Sequence, residues 1–144
     1  MLGRLLAGLS PAALPTVVQP SSDISTGAWT PSTGTTLYGC IDETPYSDAD
    51  YISASNATTC EVGLPPFAFP ITAGVTLSYR AASTSGSTLT VSLKQNGSII
   101  TGCTWVHTGL SSTVTRFDDV LTPTQIAAIT NPAVNPVSVT LTSS

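Results

Sequence analysis

Residues 88–98 read TLTVSLKQNGS, and this stretch decides the fold. Leu89, Val91 and Leu93 alternate with polar residues, which is the period-two pattern of a β-strand with one buried face. The Asn-Gly pair at positions 96–97 supplies the positive φ angles that a two-residue hairpin turn requires. The stretch therefore predicts a β-hairpin in which residues 88–95 pair with residues 98–106.

The same alternation of apolar and polar residues recurs at residues 75–80 and 137–142. Weaker candidate strands are short apolar runs bounded by Gly, Pro, Ser and Thr, at residues 27–31, 36–41, 49–53, 60–64 and 112–121. Together these runs give about eight short strands, a number typical of sandwiches and jelly rolls. The sequence predicts an all-β fold, an antiparallel β-sandwich or jelly roll.

One short helix is predicted near the C-terminus, where residues 121–132 read LTPTQIAAITNP. Thr122 is a favourable N-cap, Pro123 suits the first helical position, and Gln125 completes a capping box. Ile126 and Ile129 share one face of this helix. We expect the helix to close one end of the sandwich with that face.

The composition favours a single domain that packs against other proteins. The chain has 144 residues, of which 41% are hydrophobic, enough for one core of its own. Only 8% are charged, whereas about 25% is usual in soluble domains. The 19 Ser and 24 Thr must therefore supply much of the polar surface. Such a surface repels neighbouring molecules weakly, because charge is what keeps proteins apart.

Charge and hydropathy exclude two classes of partner. The basic residues are few and scattered along the chain; they are Arg4, Arg80, Lys94 and Arg116. With a net charge of −4, the chain lacks the cation cluster that nucleic-acid binding needs. No run approaches the roughly 20 apolar residues of a membrane span. We expect neither a nucleic acid nor a membrane as a partner.

Residues 1–20 read MLGRLLAGLSPAALPTVVQP and predict an extended N-terminal arm ahead of a jelly-roll β-sandwich domain at residues 21–144. The arm resembles the start of a signal peptide, but its apolar run is short and broken by Gly and Pro. Leu2, Leu5, Leu6 and Leu9 fall on one helical face. Either the sandwich itself or a neighbouring subunit must cover these leucines. We favour the neighbour, so the four leucines are predicted partner-binding residues.

Nothing in the sequence assembles a catalytic set. The single histidine, His107, has no identifiable partner, and neither G-x-S-x-G nor H-E-x-x-H occurs. We interpret it as a surface or edge histidine and predict that the protein is not an enzyme. Cys40, Cys60 and Cys103 lie outside any metal-ligand spacing and are interpreted as core residues. One disulfide between two of them is the alternative.

Two further groups of residues were weighed as binding sites. The loop acids Asp42, Glu43, Asp48 and Asp50 have the oxygen chemistry of a Ca²⁺ site but not the spacing of an EF-hand. Neighbouring Ser and Thr residues would equally cap the turn in which these acids lie. We therefore predict no metal and no cofactor. Among the aromatic residues, Trp29 and Trp105 are predicted to fill the core. Tyr46, in a Pro-Tyr-Ser loop, is predicted to be exposed and to bind a partner.

Several segments, taken in order, resemble one family. These are DISTGAWTPS at 23–32, LYGCIDE at 37–43, SDADYI at 47–52, the Asn-Gly hairpin, and the capped helix before a final strand. This order is similar to small jelly-roll domains in structural proteins of tailed bacteriophages, and it covers about residues 21–142. Domains of this kind decorate heads, form neck or tail components, or bind sugars.

The resemblance implies a virion structural protein. The leading hypothesis is a capsid decoration or cement protein that binds the major capsid protein or other virion subunits and stabilises the head. The alternative is a neck or tail component, or a module that binds carbohydrate or a cell surface. We expect a homo-oligomer, with a trimer suggested by the resemblance. We also expect the protein to be made in the host cytoplasm and to reside on the particle surface.

Overall fold

The computed structural model describes residues 17–43, 45–68 and 74–144. Within these ranges the chain forms nine β-strands, one short α-helix and one 3-10 helix at Tyr38–Cys40. The strands are β1 Ser22–Ser25, β2 Thr30–Pro31, β3 Ile52–Ser53, β4 Thr58–Gly63, β5 Thr76–Ala81, β6 Leu89–Gln95, β7 Ser98–His107, β8 Thr115–Val120 and β9 Val137–Ser143. The helix α1 is Pro123–Ala128.

The largest element is a five-stranded antiparallel sheet in the order β1-β4-β9-β6-β7, which we call the main sheet. Its inner face is apolar because alternate residues of each strand point to the same side. The buried residues of that face include Cys60, Val62, Val91, Leu93 and Val139. The final strand β9 lies in the middle of the sheet, so the sheet is completed only when the C-terminal segment pairs with β4 and β6.

The predicted hairpin is confirmed. Gln95 pairs with Ser98, so Asn96 and Gly97 form a two-residue turn with φ angles of 52° and 76°. The pairing of β6 with β7 then shifts between Ser92 and Lys94, where β7 carries extra residues around Gly102 at φ 77°. A bulge of this kind bends the edge strand away from regular pairing.

A second, smaller sheet packs over the inner face of the main sheet. It consists of β5 and β8, which are antiparallel, and its Leu77, Tyr79 and Ala81 pack against the buried core. β2 and β3 form a separate two-stranded sheet. The all-β, sandwich-like fold is therefore as predicted, but a jelly roll is not confirmed, because the second layer has only two strands among the residues described.

The predicted helix is also confirmed, with its cap. The Thr122 hydroxyl accepts from the Gln125 backbone N–H at 3.3 Å, and the Gln125 side chain accepts from the Thr122 backbone N–H at 2.7 Å. Ile126 and Ile129 are buried. The Gln125 amide also donates to the Gly102 carbonyl at 2.5 Å, which places the helix against the bulge of β7.

Four of the weaker strand predictions need correction. Residues 36–41, predicted as a strand, contain the 3-10 helix, because both carboxylate oxygens of Asp23 accept backbone N–H groups there, from Leu37 at 2.9 Å and Tyr38 at 2.8 Å. The candidate at 27–31 is shortened to β2 because Gly27 turns the chain at φ 55°. The candidates at 49–53 and 112–121 are shortened to β3 and β8. β1 was not predicted at all.

A buried glutamine closes the end of the sandwich near the hairpin turn. Gln95 is 8% exposed, and its amide nitrogen donates to the carbonyls of Thr130 at 2.9 Å and Asn135 at 2.7 Å. Its amide oxygen accepts from the backbone N–H and the hydroxyl of Thr130. The loop that follows α1 is thereby fixed to β6. No helix in the part of the chain described is long and apolar enough to cross a membrane.

Candidate functional site

Of the residues predicted to bind partners, the structure describes Tyr46 but not the four leucines. Leu2, Leu5, Leu6 and Leu9 lie outside the described residues, so that prediction remains untested. Tyr46 lies over the outer side of the small β5–β8 sheet, where its hydroxyl donates to the Ser78 carbonyl at 3.4 Å. The Arg116 guanidinium is 5.6 Å from the centre of its ring. Tyr46 is 43% exposed, whereas Tyr51 is 53% exposed, so Tyr46 is not the most exposed tyrosine.

Glu43 and Asp50 are close enough to hydrogen-bond, with Asp42 nearby, but the fourth loop acid has a different partner. Asp48 pairs with Arg80 of β5 at 2.8 Å. Asp50 instead accepts the hydroxyl protons of Thr33 at 2.5 Å and Ser32 at 3.1 Å, and these hydrogen bonds, with Thr33 first, hold its pKa below the usual value. Burial raises the pKa of Glu43, and neighbouring Asp50 and Asp42 add to the rise. The described residues contain no group of three or more His, Cys, Asp or Glu that would hold a metal ion.

The three cysteines are free and buried, consistent with the interpretation as core residues. Cys60 and Cys103 lie on the inner face of the main sheet, in β4 and β7. Burial raises the pKa of Cys60 to about 12 and also raises that of Cys103, so both are protonated near neutral pH. Protonated, enclosed thiols are poor nucleophiles.

His107 ends the edge strand β7, as its interpretation as an edge histidine implies, but it also has positioned partners that the sequence did not indicate. Its side chain is 18% exposed and reaches from the end of β7 to the second layer. There Tyr79 donates its hydroxyl proton to Asp119 at 2.5 Å, and His107 Nε2 lies 2.5 Å from the same Tyr79 oxygen. With the tyrosine proton directed at Asp119, the histidine must donate. The Phe117 ring packs 4.0 Å from the His107 ring, centre to centre.

This Tyr79–His107–Asp119 cluster joins the two layers of the sandwich, and its tyrosine is poorly suited to act as a nucleophile or base. Burial and the Asp119 carboxylate raise the pKa of Tyr79 far above its usual value, so the phenol stays protonated. A phenolate nucleophile or base would require the opposite shift. The cluster escaped prediction because its members are 28 and 40 residues apart along the chain.

The most distinctive surface is the outer face of the main sheet. We define it by the residues that alternate with the core positions: Thr59, Glu61, Thr90, Ser92, Lys94, Thr104, Val106, Ser138, Thr140 and Thr142. Hydroxyl pairs link neighbouring strands across it, at 2.8 Å between Thr59 and Thr142 and at 3.0 Å between Ser92 and Thr104. Such cross-strand pairs contribute to the stability of a sheet.

One ion pair crosses the centre of this outer face. Lys94 of β6 donates to Glu61 of β4 at 2.5 Å, passing over β9, which lies between these two strands. Ser138 of β9 donates to the other Glu61 oxygen at 2.6 Å. Burial would raise the pKa of Glu61, but the hydrogen bonds from Lys94 and Ser138 outweigh it and lower the pKa. The only two charges on this face thus neutralise each other.

Apolar side chains lie at both margins of the outer face. Ile99 and Val106 of the edge strand β7 are 57% and 58% exposed. At the opposite edge, Ile24 of β1 is 59% exposed and approaches Gly63 of β4. The face therefore has no net charge and has exposed aliphatic groups on two sides.

The fold and this face define a class only, an all-β, sandwich-like domain with a low-charge sheet surface. The chain matches no protein-family model, no curated protein and no solved structure. The particular role of the protein must therefore be argued from its own surfaces and from the sequence resemblance.

Proposed function

We propose that this protein is a virion structural protein, a capsid decoration or cement protein that binds coat subunits and stabilises the head without catalysis. The observation that carries the proposal is the outer face of the main sheet, with its internal ion pair and its aliphatic margins. The sequence resemblance to small jelly-roll domains of tailed bacteriophages supplies the virion context. The major capsid protein or another virion subunit is the partner that this proposal names.

The physical argument concerns the cost of removing charge from water. Burying an unpaired charge in an interface costs several kcal/mol, whereas hydrogen-bonded hydroxyls cost far less and the burial of aliphatic groups is favourable. On the outer face, Glu61 and Lys94 already satisfy each other. Elsewhere in the described residues, Arg80 and Arg116 also have carboxylate partners, at 2.8 and 2.9 Å. A coat subunit can therefore cover this surface without leaving a basic group unpaired.

The location of the protein on particles tests the proposal. An antibody raised against the folded protein should label virus particles from the source of the gene, seen by negative-stain electron microscopy. Label over the heads supports decoration of the capsid. Label confined to necks or tails supports the neck or tail alternative instead. Particles that carry no label, while the unassembled protein is detected in the same culture, would refute a virion role.

The carbohydrate-binding alternative has weaker support. Sugar recognition by a sandwich would use an exposed aromatic platform, but Trp29 and Trp105 pack against the core. The ring of Tyr46 has the Arg116 guanidinium over it. Of the aromatic residues described, this leaves Tyr51 as the most exposed ring. Binding of soluble glycans that Tyr51→Ala abolishes would favour this alternative.

A further inference from the structure

The two edges of the main sheet differ in how they are protected. An edge strand presents backbone N–H and C=O groups that pair with another strand, unless the edge is short, charged, irregular or covered. At one edge, β1 has only four residues and contains Asp23, whose carboxylate holds the segment at Leu37 and Tyr38 beside it. Its pairing with β4 is also irregular between Asp23 and Ser25. The β1 edge is therefore poorly suited to extend the sheet.

The opposite edge strand, β7, is longer and less protected. No Lys, Arg, Asp, Glu or Pro occurs between residues 95 and 115. The first half of β7 is interrupted by the bulge, where the Gly102 carbonyl already accepts from the Gln125 side chain. The second half, residues 104–107, pairs regularly with β6. Among the described residues, this second half is the uncharged and regular part of an open edge.

The hydrogen bonds of β6 show which backbone groups are free in this half. Thr88, just before β6, exchanges both backbone hydrogen bonds with Ser144, at 2.7 and 3.0 Å, so its N–H and C=O point toward β9. In an antiparallel sheet these groups alternate between the two sides of a strand. Val91 therefore points its N–H and C=O toward β7, where it pairs with Trp105. The two residues that flank Trp105 must then direct their N–H and C=O groups away from the sheet.

Those two residues, Thr104 and Val106, form a self-complementary edge. When two such strands meet antiparallel with Trp105 on a two-fold axis, Thr104 of each copy lies opposite Val106 of the other. Each of these pairs can exchange both of its backbone hydrogen bonds. Thr104 and Val106 are exposed on the outer face, and neither is charged, so no like charges meet across the contact.

The structure leaves room for a second strand beside this edge. A hollow of about 420 Å³ opens next to Val106 and His107, bounded by residues 108–111 and by Thr115 and Phe117. β8 pairs only with β5 among the described strands, so the second layer does not continue past β8 on this side. The inner side of the β7 edge is thus open where a neighbouring strand would place its inward side chains.

We propose that two copies of this chain pair through residues 104–107 of β7, antiparallel about a two-fold axis at Trp105, so that their main sheets join into one continuous sheet. Addition of a strand to an open edge is a common mode of recognition, and a two-fold contact uses the same patch on both copies. The pair differs from the trimer that the sequence resemblance suggests. It goes beyond the proposed function because it needs no coat subunit, so purified protein tests it whether or not particles carry the protein.

Cysteine trapping tests the register of the contact. Thr104→Cys and Val106→Cys are made as separate full-length chains, in which the three native cysteines are buried. In the proposed pair these two positions lie opposite each other, about 5.5 Å apart at Cα, within the range of a disulfide. Each position lies about 9 Å from its own counterpart in the other copy, beyond that range.

Under mild oxidation, a mixture of the two cysteine variants should form the covalent dimer at least tenfold faster than either variant alone. Both variants should give circular dichroism near that of the unchanged protein. A mixture that forms no dimer, or that crosslinks no faster than the single variants, would overturn the proposal.

A second pair of variants tests the backbone hydrogen bonds. Val106→Pro removes the outward N–H without removing a hydrogen bond to β6, and an edge strand tolerates proline at such a position. Val106→Thr is the matched control, because it keeps the N–H and a β-branched side chain. In sedimentation equilibrium at high concentration, Val106→Pro should weaken self-association at least tenfold, whereas Val106→Thr should associate as the unchanged chain does. Equal association of the two variants would contradict the proposal, and if Val106→Pro does not fold, the cysteine trapping decides.

Discussion

The ion pair on the outer face gives the most informative perturbation, the substitution Lys94→Met. Methionine keeps most of the aliphatic length of lysine but removes the charge that Glu61 faces across β9. Glu61 then keeps the Ser138 hydroxyl as a donor at 2.6 Å. The side chains of Lys94 and Glu61 are 21% and 15% exposed, so the pair is neither fully buried nor at the surface.

That intermediate burial determines how much stability Lys94→Met should lose. Removing one partner of a surface pair costs about 0–1 kcal/mol of the free energy of unfolding, and of a buried pair about 3–5 kcal/mol. We expect a loss of about 2 kcal/mol at pH 7, between these limits. For a domain of this size, that corresponds to a fall of roughly 6–8 °C in Tm.

The substitution should reverse the direction in which the Glu61 carboxyl makes the free energy of unfolding depend on pH. The pKa of Glu61 is below its usual value in the folded protein, so the pair contributes stability above about pH 4.3 and loses it as the pH falls through the folded pKa. Without Lys94, burial raises the pKa of Glu61 instead. The variant then loses stability as the pH rises above about 4.3 and regains it on acidification. The difference between the two proteins is therefore largest at neutral pH and shrinks toward pH 3–4.

Urea unfolding followed by tryptophan fluorescence at pH 7 and pH 4 measures both effects. The double variant Lys94→Met with Glu61→Gln is the control, since it removes both charges and should recover much of the loss. A loss below about 0.5 kcal/mol at pH 7 would mean that the pair is no stronger than an ordinary surface contact. An equal loss at both pH values would mean that an unpaired carboxylate is not its cause.

Three further predictions concern the sandwich itself. Gln95→Leu should lower the free energy of unfolding by about 3–5 kcal/mol in urea titrations, because it leaves buried backbone groups of Thr130 and Asn135 without hydrogen-bond partners. A loss under about 1 kcal/mol would show that water replaces the amide. Above about pH 10 the unfolded state releases the Tyr79 proton while the folded state retains it, because the pKa of Tyr79 is raised on folding, so the free energy of unfolding should fall as the pH rises. Tyr79→Phe should make this fall shallower. Parallel plots of unfolding free energy against pH for the variant and the unchanged protein would contradict this. Gly97→Val should cost about 1–2 kcal/mol by thermal unfolding, because φ is 76° at an otherwise open position; an unchanged Tm would show that the turn adopts another form.

The elements that the sequence predicted correctly are those specified by residues close together in the chain. The hairpin follows from alternation and an Asn-Gly pair within eleven residues, and α1 follows from a capping box within four. Both are decided by the conformational preferences of adjacent residues. The 3-10 helix was mispredicted because Asp23, at least 14 residues earlier, fixes its first N–H groups. A distant side chain overrode the local β-propensity of the segment.

The candidate surfaces were less predictable for the same reason. Glu61 and Lys94 are 33 residues apart, and nothing near either residue indicates that β9 brings them onto one face. His107 was judged by its sequence neighbours, whereas its partners come from β5 and β8 in the other layer. Register across the main sheet, which depends on the C-terminal strand, decides the first contact, and packing between the two layers decides the second.

The central claim is that the outer face of the main sheet docks on coat subunits, and the occupancy of particles by two matched variants tests it most directly. Val106→Glu charges the outer face at a position 58% exposed, and Val120→Glu charges the second layer at a position 64% exposed. Both variants should fold, with circular dichroism near that of the unchanged protein. We predict that Val106→Glu is depleted at least tenfold from purified particles in quantitative mass spectrometry while Val120→Glu is retained. Equal retention of the two variants would contradict the claim.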